Sequence, residues 1–513
     1  MEKENEDMKE KIKYRIIDKS ILITAYLFLM VPTLIILLCW FKPITAICSS
    51  ILLVVAFIFT VKNIKYKTVE EYKKIFNLKK ILIFMSFIIL INILSGAGGI
   101  CYQNWDYKFR NVILHDLIEN EWPVKYDYSK LEYEQTKIGS STGVLSYYFA
   151  FWIPAALVGK VTNFTVASIF MLFWQILGTS LFFYLICRKT GKIRLRYFLV
   201  FIAFGGVDII TKAILDIMNG QLSNPFGVIH IDTVNSKFVM STFITQLFWV
   251  FNQSVPAWVA TMLLINDRQY QNIGVMLAML VPYSPFPVIG LAMYIIIVCL
   301  FGYEFQEVIN WKRIRSLISI QNIASVLSVI PIGLLFIQNS SNKGCFIIDA
   351  IHNGGLSKIL LKYALFVMFE FGIYAVIINK KNWKKILTYF SIFAILPLFY
   401  IGFSVDLGNR ATIPILVLLY LEILNFIEEY KFKEHKKRII CLAIILFLAF
   451  CTNYNELYRS IKNTYKNYKD KVSNFNDNYV TLGRFENKEC DKFIKNFVAP
   501  YDENKFFYKH ILK

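Results

Sequence analysis

The length of the apolar runs limits this chain more than anything else in it. They begin at Ile21, Ile44, Ile81, Val166, Tyr197, Val255, Ile273, Pro287, Ile320, Leu360, Ile386, Ala411 and Ile439. A hydrocarbon layer about 30 Å thick takes roughly 20 apolar residues in helical form. Helices also satisfy every backbone N–H and C=O within one segment, as lipid demands. The runs predict an all-α integral membrane protein with about thirteen spans. Charged residues make up only 18% of the 513 positions, against 56% hydrophobic, a balance rare in a soluble domain of this length.

A net charge of +20 invites a nucleic-acid partner. The distribution removes that reading, because Lys and Arg fall in short segments between the runs and form no single patch. The nine cysteines include no C-x-x-C pair and lie mostly inside apolar runs, so neither a zinc site nor a disulfide framework is indicated. The first run follows a charged prefix, lacks a small-residue cleavage site and leads straight into a second run, unlike a cleavable signal.

Orientation follows from the basic residues. Lys9, Lys11, Lys13, Arg15 and Lys19 precede the first run, and Lys62 to Lys80 form the next basic block. Both belong in the cytosol, which makes the first two runs a hairpin and sends the third out of the far face. The polar stretch that follows leads to two apolar stretches, 144–158 and 166–186, and then to the basic cluster Arg188, Lys189, Lys192, Arg194 and Arg196. If both stretches crossed, that cluster would lie outside. If 144–158 lies in or dips into the outer leaflet as an interfacial helix, this cluster and every later basic block fall inside. Pro154 and the aromatic residues from Tyr147 to Trp152 suit an interface. The outer segments are then 97–163, 219–253, 338–357, 404–410 and a polar tail from 453, which could form a small helical cap. The expected parts are an N-terminal tail and hairpin (1–80), a membrane core (81–452) and an extracytoplasmic tail (453–513).

The first outer segment carries Asp106, followed by apolar residues Phe109, Val112, Ile113 and Leu117 at helical spacing. Asp106 can cap that amphipathic helix through its carboxylate, or face outward as a chemical group. His115 and Asp116 lie further along it. Other outer polar residues are His230 and Asp232, Asp349 and His352, and Asp406 and Arg410; none has metal-ligand spacing. Asp406 and Arg410 could form a local ion pair, and an Arg at the outer mouth of a span is also placed to hold a phosphate. Within the runs, Asp208 and Lys212 stand four apart and can neutralise each other. Glu370 is an ionisable group deep in a run, either functional or a hydrogen-bonded packing residue.

This order of parts resembles the GT-C glycosyltransferases, membrane enzymes that use polyprenyl- or dolichyl-phosphate sugars. In them a span exits into a large outer loop with an acidic residue near the membrane, and interfacial helices and a span down to a basic cytosolic turn follow. The stretches Trp105-Asp106-Tyr107 to Trp122-Pro123, Phe204-Gly-Gly-Val-Asp208, Tyr283-Ser-Pro-Phe286 and Arg410-Ala-Thr-Ile-Pro414 are also similar to a group of Gram-positive bacterial membrane proteins placed in that superfamily. The chain departs from the family in an additional leading hairpin and in a single Asp where the family has a fuller acidic signature. The resemblance implies an inverting transfer from a polyprenyl-phosphate sugar to an extracytoplasmic glycan, lipid or protein at the plasma membrane. Asp106 would be the general base, Arg410 the phosphate ligand and Lys358 and Lys362 weaker phosphate candidates. His230 and His352 would meet sugar hydroxyls, and His115, Asp116, Asp232 and Asp406 are further outer-face candidates. No metal or other cofactor is expected. A transporter or lipid flippase and a surface-polysaccharide polymerase are the alternatives.

Overall fold

The computed structural model describes residues 2–64, 67, 69–220, 224, 231–232, 238–267, 271–301, 311, 315, 317–339, 344–346, 356–378, 383–401, 405–476, 481–485 and 493–513. All thirteen apolar runs begin on helices. Eight helical segments among the described residues are long and apolar enough to cross a membrane: Ile12–Trp40, Pro43–Lys62, Phe164–Thr190, Leu195–Met218, Ile320–Ile337, Ser357–Ile378, Asp406–Glu429 and Phe432–Lys469. The chain is an all-α membrane protein. The other five runs form shorter helices, Leu78–Leu94, Phe251–Asn266, Ile273–Leu280, Pro285–Phe301 and Trp383–Ile395.

Two sets of polar contacts mark opposite ends of the bundle. At one end the Asp18 carboxylate accepts from Tyr72 (2.7 Å), Tyr184 (2.5 Å) and Arg188 Nε (2.8 Å). Beside it Lys189 reaches the Ile265 carbonyl at 3.0 Å, and Glu428 gathers Lys192 and Arg196. At the other end Phe41 bridges to Leu512, Lys42 N–H donates to the Ile511 carbonyl (2.9 Å), and Asn104 Nδ2 donates to the Phe248 carbonyl (2.8 Å). The segments that charge assigns to the cytosol meet one another, and those assigned outside do the same. Asp18 and the tail lie at opposite ends, which takes an odd number of crossings. If all eight long segments cross, an odd number of the five shorter helices must cross as well.

The stretch 144–158 forms no spanning helix. Its start is a strand, Thr142–Leu145, at the centre of a three-stranded antiparallel sheet between Lys125–Asp127 and Val498–Pro500. Only Ala150–Trp152 (a 3-10 turn) and Ile153–Val161 are helical, and nine residues at about 1.5 Å each fall far short of a bilayer. The expected interfacial helix therefore begins only at Ala150, because the tail offers Val144 and Leu145 a backbone partner. Among the described residues the tail is helical only to Lys469, over Ile494–Asn496 and over Phe506–His510. Helix Phe432–Lys469 runs straight through the boundary expected at 453, and beyond it come the strand Val498–Pro500 and a five-residue helix, Phe506–His510.

The run from Leu195 breaks between helices Leu195–Ala203 and Asp208–Met218. The freed backbone groups find partners on neighbouring helices, as they must in lipid. Tyr374 donates to the Gly205 carbonyl (2.8 Å), Asn453 to that of Ile202 (2.5 Å), and Val207 N–H to that of Phe369 (3.1 Å). Gly206 leaves room for Glu370, since a Cβ on it would lie 1.5 Å from Glu370 Oε2 and the carboxyl would have to move. Glu370 itself sits in a π-turn, Val367–Gly372, the kind of local irregularity that re-aims one side chain.

Candidate functional site

Helix Tyr107–Glu119 begins just past the exit of Leu78–Leu94 and buries both its apolar residues and Arg110. Asp106 stands at its start in right-handed backbone, and its side chain makes no capping hydrogen bond. The carboxylate instead accepts from Arg110 Nη2 at 3.1 Å. Arg110 is held firmly in turn. Its guanidinium lies 5.3 Å from the Tyr107 ring and 4.9 Å from that of Phe251, and it donates to the Phe248 carbonyl at 3.4 Å. Aromatic faces and a carbonyl leave a planar cation one orientation, which fixes the carboxylate paired with it.

Some 300 residues later the same device recurs. Arg410 Nη2 lies 3.3 Å from Asp406 Oδ1, again one helical turn apart. That short helix, Asp406–Ala411, is pinned by Asn409, which exchanges hydrogen bonds with the Ser241 backbone (2.9 Å) and hydroxyl (3.0 Å). It also lies against Pro285–Phe301, an approach that Gly290 permits: a Cβ there would sit 1.7 Å from the Ala411 carbonyl oxygen.

The two pairs line one cavity of about 220 Å³. Around Asp106, Arg110, Asp406 and Arg410 stand Trp105, Phe109, Tyr147, Tyr148 and Trp152 from the segment 97–163, and Asn252 and Gln253 from the start of helix Phe251–Asn266. The tail closes one side with Phe493, Asn496 and Phe497. Phe497 stacks on Phe109 at 5.4 Å, and its carbonyl accepts from Ser146 N–H at 2.8 Å, so the sheet holds the tail against the loop. Burial pushes the Tyr147 phenol up to about 12 and that of Tyr148 well above its usual value, leaving both as neutral hydroxyls.

Of the residues singled out in the sequence, Asp106, Asp406 and Arg410 meet in this cavity. Asp116 does not. It is buried, accepting from the Tyr126 hydroxyl and from Leu482 N–H, both at 2.9 Å, and so ties the tail to the loop. His115 packs near the Phe164 ring, away from the cavity. Lys358 is exposed and Lys362 half-buried; neither lines the cavity. Asp232 is buried within electrostatic reach of Glu370. His230, Asp349 and His352 lie outside the described residues. The expected Asp208–Lys212 pair is replaced: Lys212 bonds Asp216 at 2.8 Å, while Asp208 accepts from Thr452 (3.2 Å) and meets the Glu370 carboxyl. No group of three or more His, Cys, Asp or Glu side chains that could hold a metal occurs among the described residues.

Arg110, Asn252 and the tail aromatics were not expected in the site. One signal was available: the Asp-x-x-x-Arg spacing of 106–110 is repeated at 406–410. Chemically, the cavity offers carboxylates that can take a proton, guanidinium groups that can hold an anion, and aromatic faces that suit the C–H face of a sugar ring. No protein-family model matches the chain, and no curated protein or solved structure is significantly similar to it.

Proposed function

We propose that the chain is an integral membrane glycosyltransferase of GT-C type, moving a sugar from a polyprenyl-phosphate donor to an extracytoplasmic acceptor. The observation that carries this reading is the meeting of Asp106 and Arg410 in one cavity, at the end of the bundle that charge assigns to the outside. In the reaction, the acceptor oxygen attacks the anomeric carbon from the face opposite the phosphate. Its proton passes to the Asp106 carboxylate as the new C–O bond forms. The bond to the phosphate oxygen breaks, its electron pair leaves with that oxygen, and polyprenyl phosphate departs. A carboxylate near the attacking hydroxyl and a guanidinium near the departing phosphate meet the two charges that develop. Arg110 holds the Asp106 carboxylate in place, and the lipid tail lies among the spans, so the reaction belongs at a membrane face.

The test is transfer from a panel of polyprenyl-phosphate sugars in membranes carrying the protein or its Asp106→Asn variant. The expected loss is about 10²–10⁴-fold, the usual contribution of a general base, with unchanged membrane levels. Full activity in a stably inserted variant overturns the assignment. A second reading, a transporter or flippase, draws on the Asp208–Glu370 carboxyl contact within the spans. It gains if the unsubstituted protein transfers sugar from no donor in the panel.

A further inference from the structure

Three residues that line the cavity carry buried polar atoms with no hydrogen-bond partner: Arg410 Nε, Asn252 Nδ2 and Trp152 Nε1. All three are donors. Asn252 is 1% exposed and Trp152 fully buried, so bulk water does not serve them. Asn252 also occupies the first turn of helix Phe251–Asn266, whose N-terminal residue Val250 has non-helical backbone and provides no side-chain cap. Val250, Asn252 and Gln253 from that end all line the cavity. Gln253 N–H is bonded to the Val250 carbonyl (2.9 Å), so the unpaired donors here are those of the side chains. The two carboxylates of the cavity, Asp106 and Asp406, are already engaged by Arg110 and Arg410.

We infer that this side of the cavity is an oxyanion subsite, formed by the first turn of helix Phe251–Asn266 with Asn252, Trp152 and Arg410, and that it takes the phosphate of a lipid-borne ligand. A water molecule brings donors along with its acceptors, whereas an ionised phosphate presents acceptors to every side. Unpaired donors on three residues of one cavity therefore match phosphate better than they match water or a neutral hydroxyl. The lipid-borne source follows from the chain being a membrane protein whose cavity is lined by helix Tyr107–Glu119, just past the end of apolar helix Leu78–Leu94. Assigning that phosphate to a sugar donor rests on the transferase reading; the subsite itself does not.

The experiment uses the full chain in detergent micelles and measures equilibrium binding of a labelled polyprenyl monophosphate, the corresponding polyprenol, and inorganic phosphate. The phosphorylated lipid is expected to bind at least about tenfold tighter than either of the others. Asn252→Asp keeps the shape and places a carboxylate where a helix start tolerates it, yet it sets a negative charge against the ligand; affinity should fall at least about tenfold. Asn252→Ser retains a donor and should stay within about threefold. Equal binding of lipid phosphate and polyprenol overturns the subsite, as does undiminished binding by Asn252→Asp. Inorganic phosphate binding as tightly as the lipid overturns the lipid-borne source. Binding as expected with no sugar transfer from any donor leaves the subsite standing and removes the transferase, whereas transfer with no effect of Asn252→Asp on KM does the reverse.

Discussion

Burial of the Asp116 carboxyl between the Tyr126 hydroxyl and the Leu482 amide pushes its pKa above the usual carboxylate range, because desolvation outweighs the hydrogen bonds it accepts. The folded protein then holds this proton more tightly than the unfolded chain does. The stabilisation is complete below the ordinary Asp pKa of about 4 and is lost as pH rises through the raised folded value. Melting temperatures measured from acid to neutral pH should show that decline, and Asp116→Asn, which cannot ionise, should flatten it. A steeper decline in the variant would contradict the assignment. Asp116 and Asp106 are ten residues apart and look alike in sequence; only the tail, folding back from far downstream, tells scaffold from site. Asp106 and Arg410 were legible because one stands at a helix start and the other directly before the apolar run from Ala411, where charge placement can be read. Arg110 is one more polar residue on an amphipathic helix, and Asn252 one of many residues near the end of the segment 219–253. Their roles depend on neighbours that periodicity does not encode.

Among the elements, the helices were legible and the strands were not. Apolar runs announce themselves because lipid requires about 20 residues of one character in succession. The strand Thr142–Leu145 exists because Val498–Pro500 pairs with it, and no local pattern carries a partner so distant. The break at residues 204–207 yields a sharper expectation. Gly206→Ala puts a methyl group onto the Glu370 carboxyl, a clash that typically costs about 1–3 kcal/mol in a packed interior. A lower melting temperature in detergent would register it. Glu370→Ala combined with Gly206→Ala removes the obstruction, so the double variant should melt above Gly206→Ala alone. If it melts no higher, the contact is not the cause.

For the whole molecule, the two polar ends set a topology that chemistry can check. A cysteine replacing Lys137, in the outer loop, should react with a membrane-impermeant maleimide on intact cells. One replacing Lys192, at the Asp18–Glu428 end, should react only after permeabilisation. The opposite pattern would invert the molecule and place the cavity in the cytosol. The sheet that joins loop to tail also has a consequence in time. Strand Thr142–Leu145 is made 356 residues before its partner Val498–Pro500, which at about 5–20 residues per second is a wait of roughly 20–70 s. For that interval the strand keeps an unpaired edge, and the chamber beside Asp106 lacks one wall. Its completion waits on residues far downstream, so a half-made chain already threaded through the bilayer holds Asp106 in a chamber that still lacks that wall.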